Sequence, residues 1–127
     1  MILFYNIGMN NRKKLGYLGE SIASWYLEKN GFVILEKNWR FKKLEVDIIA
    51  SLKGELVFFE IKTRLNNFLF PEENIKIKQI KNLKKAMQSY CWLKGFNIEN
   101  SRLDFVVIFL NFNLRLKRMF HYKNIIF

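Results

Sequence analysis

The 127-residue chain has one cysteine, one proline and one histidine. A lone Cys91 excludes an internal disulfide and any cysteine-based zinc site, and a lone His121 removes histidine clusters as metal centres. Any metal must therefore be held by oxygen. Cys91 lies in the apolar run Tyr90-Cys91-Trp92-Leu93 and reads as a small core hydrophobe, and His121 reads as an ordinary strand residue. Acidic residues are also scarce: 11 Asp plus Glu stand against 22 Lys plus Arg, a net charge of +11. That balance points to a polyanionic partner, more often nucleic acid than an anionic membrane surface, or reflects only a sequence rich in Lys, Asn and Ile. No run approaches the roughly 18 apolar residues of a membrane span. The opening MILFYNIG has neither a basic region before it nor a small-residue cleavage site after it, so it does not read as a signal peptide. A soluble, cytoplasmic protein with no membrane association is the expectation. Residues 1–10 read as a loose extension, because Met9 can equally begin the regular pattern.

What is present is a core. Half of the residues are hydrophobic and 17% are aromatic, with thirteen Phe, which excludes wholesale disorder. The length fits one domain spanning 1–127. Apolar spacing at Leu15, Leu18, Ile22 and Tyr26 predicts a helix over Asn11–Asn30, stopped by Asn30-Gly31. Glu20 lies about 20° from Leu27 around that helix, on the shoulder of the buried arc. Strands follow over 32–39, 46–51 and through FFEIKTR at 58–64, the last two joined by a Lys53-Gly54 turn. A loop containing Pro71 leads into a second helix over 75–93, with an apolar stripe at Ile80, Leu83, Met87 and Tyr90 and a basic one at Lys78, Lys81 and Lys85. Strands over 104–110 and 114–122 complete an α-β-β-β-α-β-β order.

FFEIKTR places charge inside an apolar strand. Side chains alternate, so Glu60 and Lys62 share a face while Val57, Phe59 and Ile61 take the other; one face is expected to pack and one to work. In the preceding strand Glu45, Asp47 and Ile49 share a face, and the hairpin can bring Asp47 to Glu60. Two readings follow. The group is a structural salt bridge of Lys62 with Asp47 or Glu60, or it is a divalent-cation site beside an ammonium that holds a water for attack on phosphorus. Glu45 is an accessory ligand or a rim charge paired with Lys42 or Lys43.

Several separated motifs, in order, resemble one family. They are Gly19-Glu20, Gly31-Phe32, Asn38-Trp39-Arg40, Glu45-Val46-Asp47-Ile48-Ile49-Ala50, Val57-Phe58-Phe59-Glu60-Ile61-Lys62-Thr63-Arg64, Lys78, Ala86, Tyr90 and Arg102-Leu103-Asp104. The stretch from Gly16 to Val107 is similar to the YraN-type family of small bacterial proteins, predicted endonucleases that resemble the PD-(D/E)XK superfamily and archaeal Holliday-junction resolvases. The resemblance implies a restriction-endonuclease-like αβββαβ core with a mixed sheet, here with an additional C-terminal strand. It also implies Mg²⁺- or Mn²⁺-dependent hydrolysis of phosphodiesters in structured nucleic acid, DNA before RNA. On that pattern Asp47, Glu60, Lys62 and Glu20 are the catalytic residues, with Asp47, Glu60 and Glu20 on the metal, Lys62 positioning the water, and a homodimer suited to symmetric incision. Leu44 stands where the family usually has glycine, which puts the local strand entry in question. Thr63 and Arg64 are candidate phosphate contacts. Lys78, Lys81, Lys85, Arg40, Lys42 and Lys43 are candidate backbone contacts, each equally readable as a solvated cation. Asp104 is expected to be a structural hydrogen-bonding residue. A binding module that cleaves nothing, or an assembly factor for RNA-protein particles, is the alternative use of the same fold.

Overall fold

A computed structural model describes residues 11–65 and 77–125. The proposed N-terminal extension, the Pro71 loop and the first residues of the second predicted helix lie outside them. The elements are α1 (Asn11–Lys29), β1 (Val33–Phe41), β2 (Leu44–Leu52), β3 (Glu55–Leu65), α2 (Ile77–Lys94), a 3₁₀ turn (Ile98–Asn100), β4 (Ser101–Leu110) and β5 (Leu116–Tyr122). The order read from apolar period is the observed one, with ends displaced by at most three residues.

Local chemistry sets the ends. Gly31, at φ 89°, closes α1: its N–H donates to the Glu28 carbonyl and the Phe32 N–H to the Leu27 carbonyl. This is the paired-bond stop that a left-handed residue permits, with Leu27 and Phe32 both buried behind it. Lys53 and Gly54 both take positive φ, the requirement of a two-residue hairpin turn, and set the β2–β3 register. At the β1–β2 turn the positive φ falls on Lys42. Leu44 therefore enters β2 in regular register with Phe41, without the glycine the family usually has there.

The five strands form one sheet in the order β1-β2-β3-β4-β5, antiparallel except for the β3–β4 pair that α2 crosses over. This mixed sheet with helices against it is a restriction-endonuclease-like core. The expectation that only one sheet face packs is corrected. On one face Ala23 and Leu27 of α1 pack with Ile48, Val57, Phe59, Ile61 and Val106. On the other Leu83, Met87 and Tyr90 of α2 pack with Ile49, Leu56, Phe58, Leu103 and Phe105. Two amphipathic helices need two apolar faces, so strands β3 and β4 are apolar on both. No helix among the described residues is long and apolar enough to cross a membrane.

Asp104 is fully buried and is the hub of the charged groups under α1. Its carboxylate accepts from Arg102 Nε at 3.0 Å, from Arg102 at a second nitrogen at 3.1 Å and from the Asn124 amide at 2.9 Å, and lies 2.8 Å from His121 Nε2. His121 Nδ1 meets the Tyr26 hydroxyl at 2.7 Å, and Arg102 also pairs with Glu55 at 2.8 Å. Burial alone would raise the Asp104 carboxyl; hydrogen bonds from His121, Arg102 and the Asn124 amide outweigh it and hold the group below its ordinary value. The Asp104 expectation agrees with this, whereas His121 is a bridge between β5 and α1 that no local pattern marks. Asp104→Ala leaves Arg102 and His121 without their buried partner and is expected to cost about 3–5 kcal/mol in urea unfolding at pH 7. Because the folded-state affinity for a proton is depressed, this contribution is present above the unfolded carboxylate pKa and fades as pH falls through the folded one, so the variant gap narrows in acid.

Candidate metal and phosphodiester site

Strand geometry brings the sequence-predicted carboxylates to one end of the sheet. The β2–β3 ladder runs to Ile48 opposite Phe59. One residue beyond it, the Asp47 side chain takes the place of a backbone partner and accepts the Ile61 N–H at 2.8 Å. The break in β2 is visible in its packing, since Val46 faces α2 while Ile48 faces α1 and Ile49 faces α2 again. Simple alternation of Glu45, Asp47 and Ile49 therefore fails at Asp47. Across from this point, between the pairs Lys37–Ile48 and Trp39–Val46, Asn38 takes a φ of 52°.

Glu60, on the α2 face of β3, lies close enough to the Asp47 carboxyl that the two negative charges would repel. Burial, reinforced by Glu60 and Glu45, pushes the Asp47 carboxyl up to about 8, against the lowering effect of the Ile61 amide. Gln79 in the first described turn of α2 donates its side-chain amide to Glu60 Oε2 at 2.7 Å. Sequence reading missed Gln79, which lies one residue from the lysine stripe, off the α2 apolar positions that periodicity selects.

Glu20 reaches the same end of the sheet from α1. Its carboxyl is raised by burial and by Asp47, with the nearby Asn38 side chain opposing the shift. The approach of α1 depends on Gly19, which is buried so close to β3 that a Cβ there would collide with the Thr63 side chain. Thr63 thus faces α1, away from Glu60, and packs at the helix crossing. Among the described residues no group of three or more Asp, Glu, His or Cys converges as a metal cage. The structure brings Asp47 and Glu60 close together and sets Glu20 within electrostatic range of Asp47.

Lys62 follows Glu60 on the same face, and among the described residues it forms no salt bridge with Asp47 or Glu60, unlike the structural pairing considered from sequence. Glu45 pairs with Arg40 at 3.5 Å, its cross-strand neighbour, in place of Lys42 or Lys43. That pair is largely solvent-exposed and worth little. Lys42, Lys43, Lys78, Lys81 and Lys85 are exposed, and Arg64 donates to the Thr63 carbonyl at 3.0 Å.

The donor set suits a hard divalent cation. Two neighbouring carboxylates, one fixed by an amide N–H and the other by a side-chain amide, offer only oxygen, and a cation between them would relieve the repulsion that adds to burial in raising Asp47. Asp47 and Glu60 are the residues that would hold it.

A family model described as "Uncharacterised protein family UPF0102" matches residues 19–108, a span containing Glu20, Asp47, Glu60, Lys62 and Gln79. A UPF0102 protein of Caldanaerobacter subterraneus subsp. tengcongensis is 38% identical over 116 residues, 90% of this chain and 95% of that protein. UPF0102 proteins of Clostridioides difficile, 42% identical over 101 residues (79% of this chain and 86% of that protein), and of Flavobacterium johnsoniae, 40% identical over 107 residues (81% and 87%), are similar as well.

Two outcomes follow from this geometry. The Asp47 cost is absent below the unfolded carboxylate value near 3.8, grows as pH rises from there to the folded value of about 8, and is constant above it. In EDTA, Asp47→Asn keeps an acceptor for Ile61 and is expected to exceed the unmodified chain in stability by on the order of 2 kcal/mol at pH 8, with the gap closing at pH 4, read by urea titration. Gly19→Ala is expected to cost about 1–3 kcal/mol and to displace α1, read by thermal melting.

Proposed function

The chain belongs to the UPF0102 (YraN) family, and from its site we propose that it is a Mg²⁺- or Mn²⁺-dependent endonuclease acting on structured nucleic acid, DNA in preference to RNA. The observation that carries the reading is the Asp47 carboxylate fixed by the Ile61 amide where β2 and β3 part, with Glu60 near enough to raise it. A bound divalent cation supplies Lewis-acid polarisation of a phosphoryl oxygen and a more acidic water.

The residues of the chain do the rest. The Ile61 N–H fixes the Asp47 rotamer and Gln79 fixes that of Glu60, so neither carboxylate has to be ordered when substrate arrives. Lys62, on the Glu60 face and without a salt bridge among the described residues, donates to the oxygen of the attacking water and offsets the charge that develops on phosphorus. Glu20, made more basic by burial and by Asp47, accepts a proton from that water or orients it. The exposed Lys78, Lys81 and Lys85 on α2, with Lys42 and Lys43 at the β1–β2 turn, give the phosphate backbone sequence-blind, salt-dependent contacts. Arg64 extends that row along β3. A homodimer would set two such sites on a branched substrate.

Labelled branched, flapped, duplex and single-stranded substrates with Mg²⁺ or Mn²⁺, run beside Glu60→Gln and Lys62→Ala, test the reading. Cleavage by the unmodified chain is expected to fall at least about 100-fold in each variant. Activity that survives both substitutions belongs to another protein, and binding without cleavage makes the chain a non-catalytic module.

A further inference from the structure

The sheet register links the candidate site to a second set of side chains that the proposed reaction does not use. Glu60 is level with Phe105 and Tyr122 across β3, β4 and β5, Lys62 with Val107 and Phe120, and Arg64 with Phe109 and Arg118. Paired residues point to the same side of a sheet, so Phe120 and Tyr122 stand on the Glu60–Lys62 face. They lie two strand spacings away, about 10 Å.

These side chains form a row along the edge strand. The Phe120 and Tyr122 rings are nearly parallel, 16° apart with centroids at 6.2 Å, and Phe109 braces Phe120 edge-on at 6.2 Å. The exposed Arg118 holds its guanidinium 5.9 Å above the Phe120 ring, wider than a stacking contact. Phe120 is part-exposed at the end of a chain whose net charge is +11, and the strand and its flanks carry Arg115, Lys117, Arg118 and Lys123 with no acidic residue from 111 to 125. An aromatic ring beside an exposed cation, in a basic setting and level with the candidate phosphodiester site, is what an unpaired nucleobase requires. A base in a duplex is already stacked on its neighbours and cannot use it.

We propose that Phe120 and Arg118 on β5 form a stacking platform for an unpaired base about one or two nucleotides from the phosphate held at Glu60 and Lys62, directing the protein to single-stranded or frayed nucleic acid. The proposal rests on the nuclease reading for the placement of that phosphate. The base lies against Phe120 while Arg118 moves out to a neighbouring phosphate; Tyr122 and Phe109 hold the ring in place.

The test measures affinity in EDTA, so that it does not depend on cleavage. The unmodified full-length chain is titrated with labelled single-stranded oligonucleotides in which one base at a time is removed, and with a blunt duplex. One or two adjacent abasic positions are expected to weaken binding about tenfold and the others to leave it unchanged. Phe120→Leu is expected to abolish that position dependence and to weaken single-strand binding by a similar factor, with duplex binding unaltered. Phe120→Trp is expected to restore both. Equal affinity for every abasic oligonucleotide, or a preference for the blunt duplex, overturns the platform while leaving the Glu60 and Lys62 cleavage test intact. Absence of any nucleic-acid binding overturns both readings.

Discussion

The hydrogen bond from the Ile61 amide to the Asp47 carboxylate is the constraint on which the site depends. Where two antiparallel strands separate, an amide N–H loses its backbone acceptor, and a buried donor left unpaired is costly. Asp47 fills that role with a side chain, which turns the end of a hairpin into a fixed carboxylate. Once it is fixed there, burial and the approach of Glu60 make its charge expensive, and the same bond partly offsets the expense. A structural need and a chemical potential thus meet in one atom pair.

Three elements converge on that pair from both sides of the sheet. Helix α2 fastens Glu60 through Gln79, while α1 delivers Glu20 because Gly19 lets its backbone lie against Thr63. The helices are held by separate apolar cores, one on each face, and both reach the carboxylates at the open end of the strands. The break in alternation at Asp47, opposite the positive-φ Asn38, lets β2 present its carboxylate sideways into the gap.

Much of this was legible in the chain. Apolar period gave the element order, and the Lys53-Gly54 turn gave a register that carries Asp47 to Glu60, because both signals are local and repeat every two or four residues. The covering of the second sheet face was available in principle, since α2 carries its own apolar stripe and must bury it. Other features were not legible. Gln79, the Gly19–Thr63 approach and the Asp104–His121–Tyr26 bridge each join segments far apart in sequence through a single polar or steric contact. Nothing periodic marks such residues. The partner of Glu45 was misassigned among nearby lysines because proximity in sequence is a poor guide across a hairpin, where register selects Arg40.

The bridge from Asp104 through His121 to Tyr26 ties a residue near the end of the described chain to the first helix. The helix that carries Glu20 is therefore fastened twice, by its apolar packing on the sheet and by a polar bridge to the edge strand. A change in the edge strand β5 can thus reach the helix that carries Glu20 without touching either core.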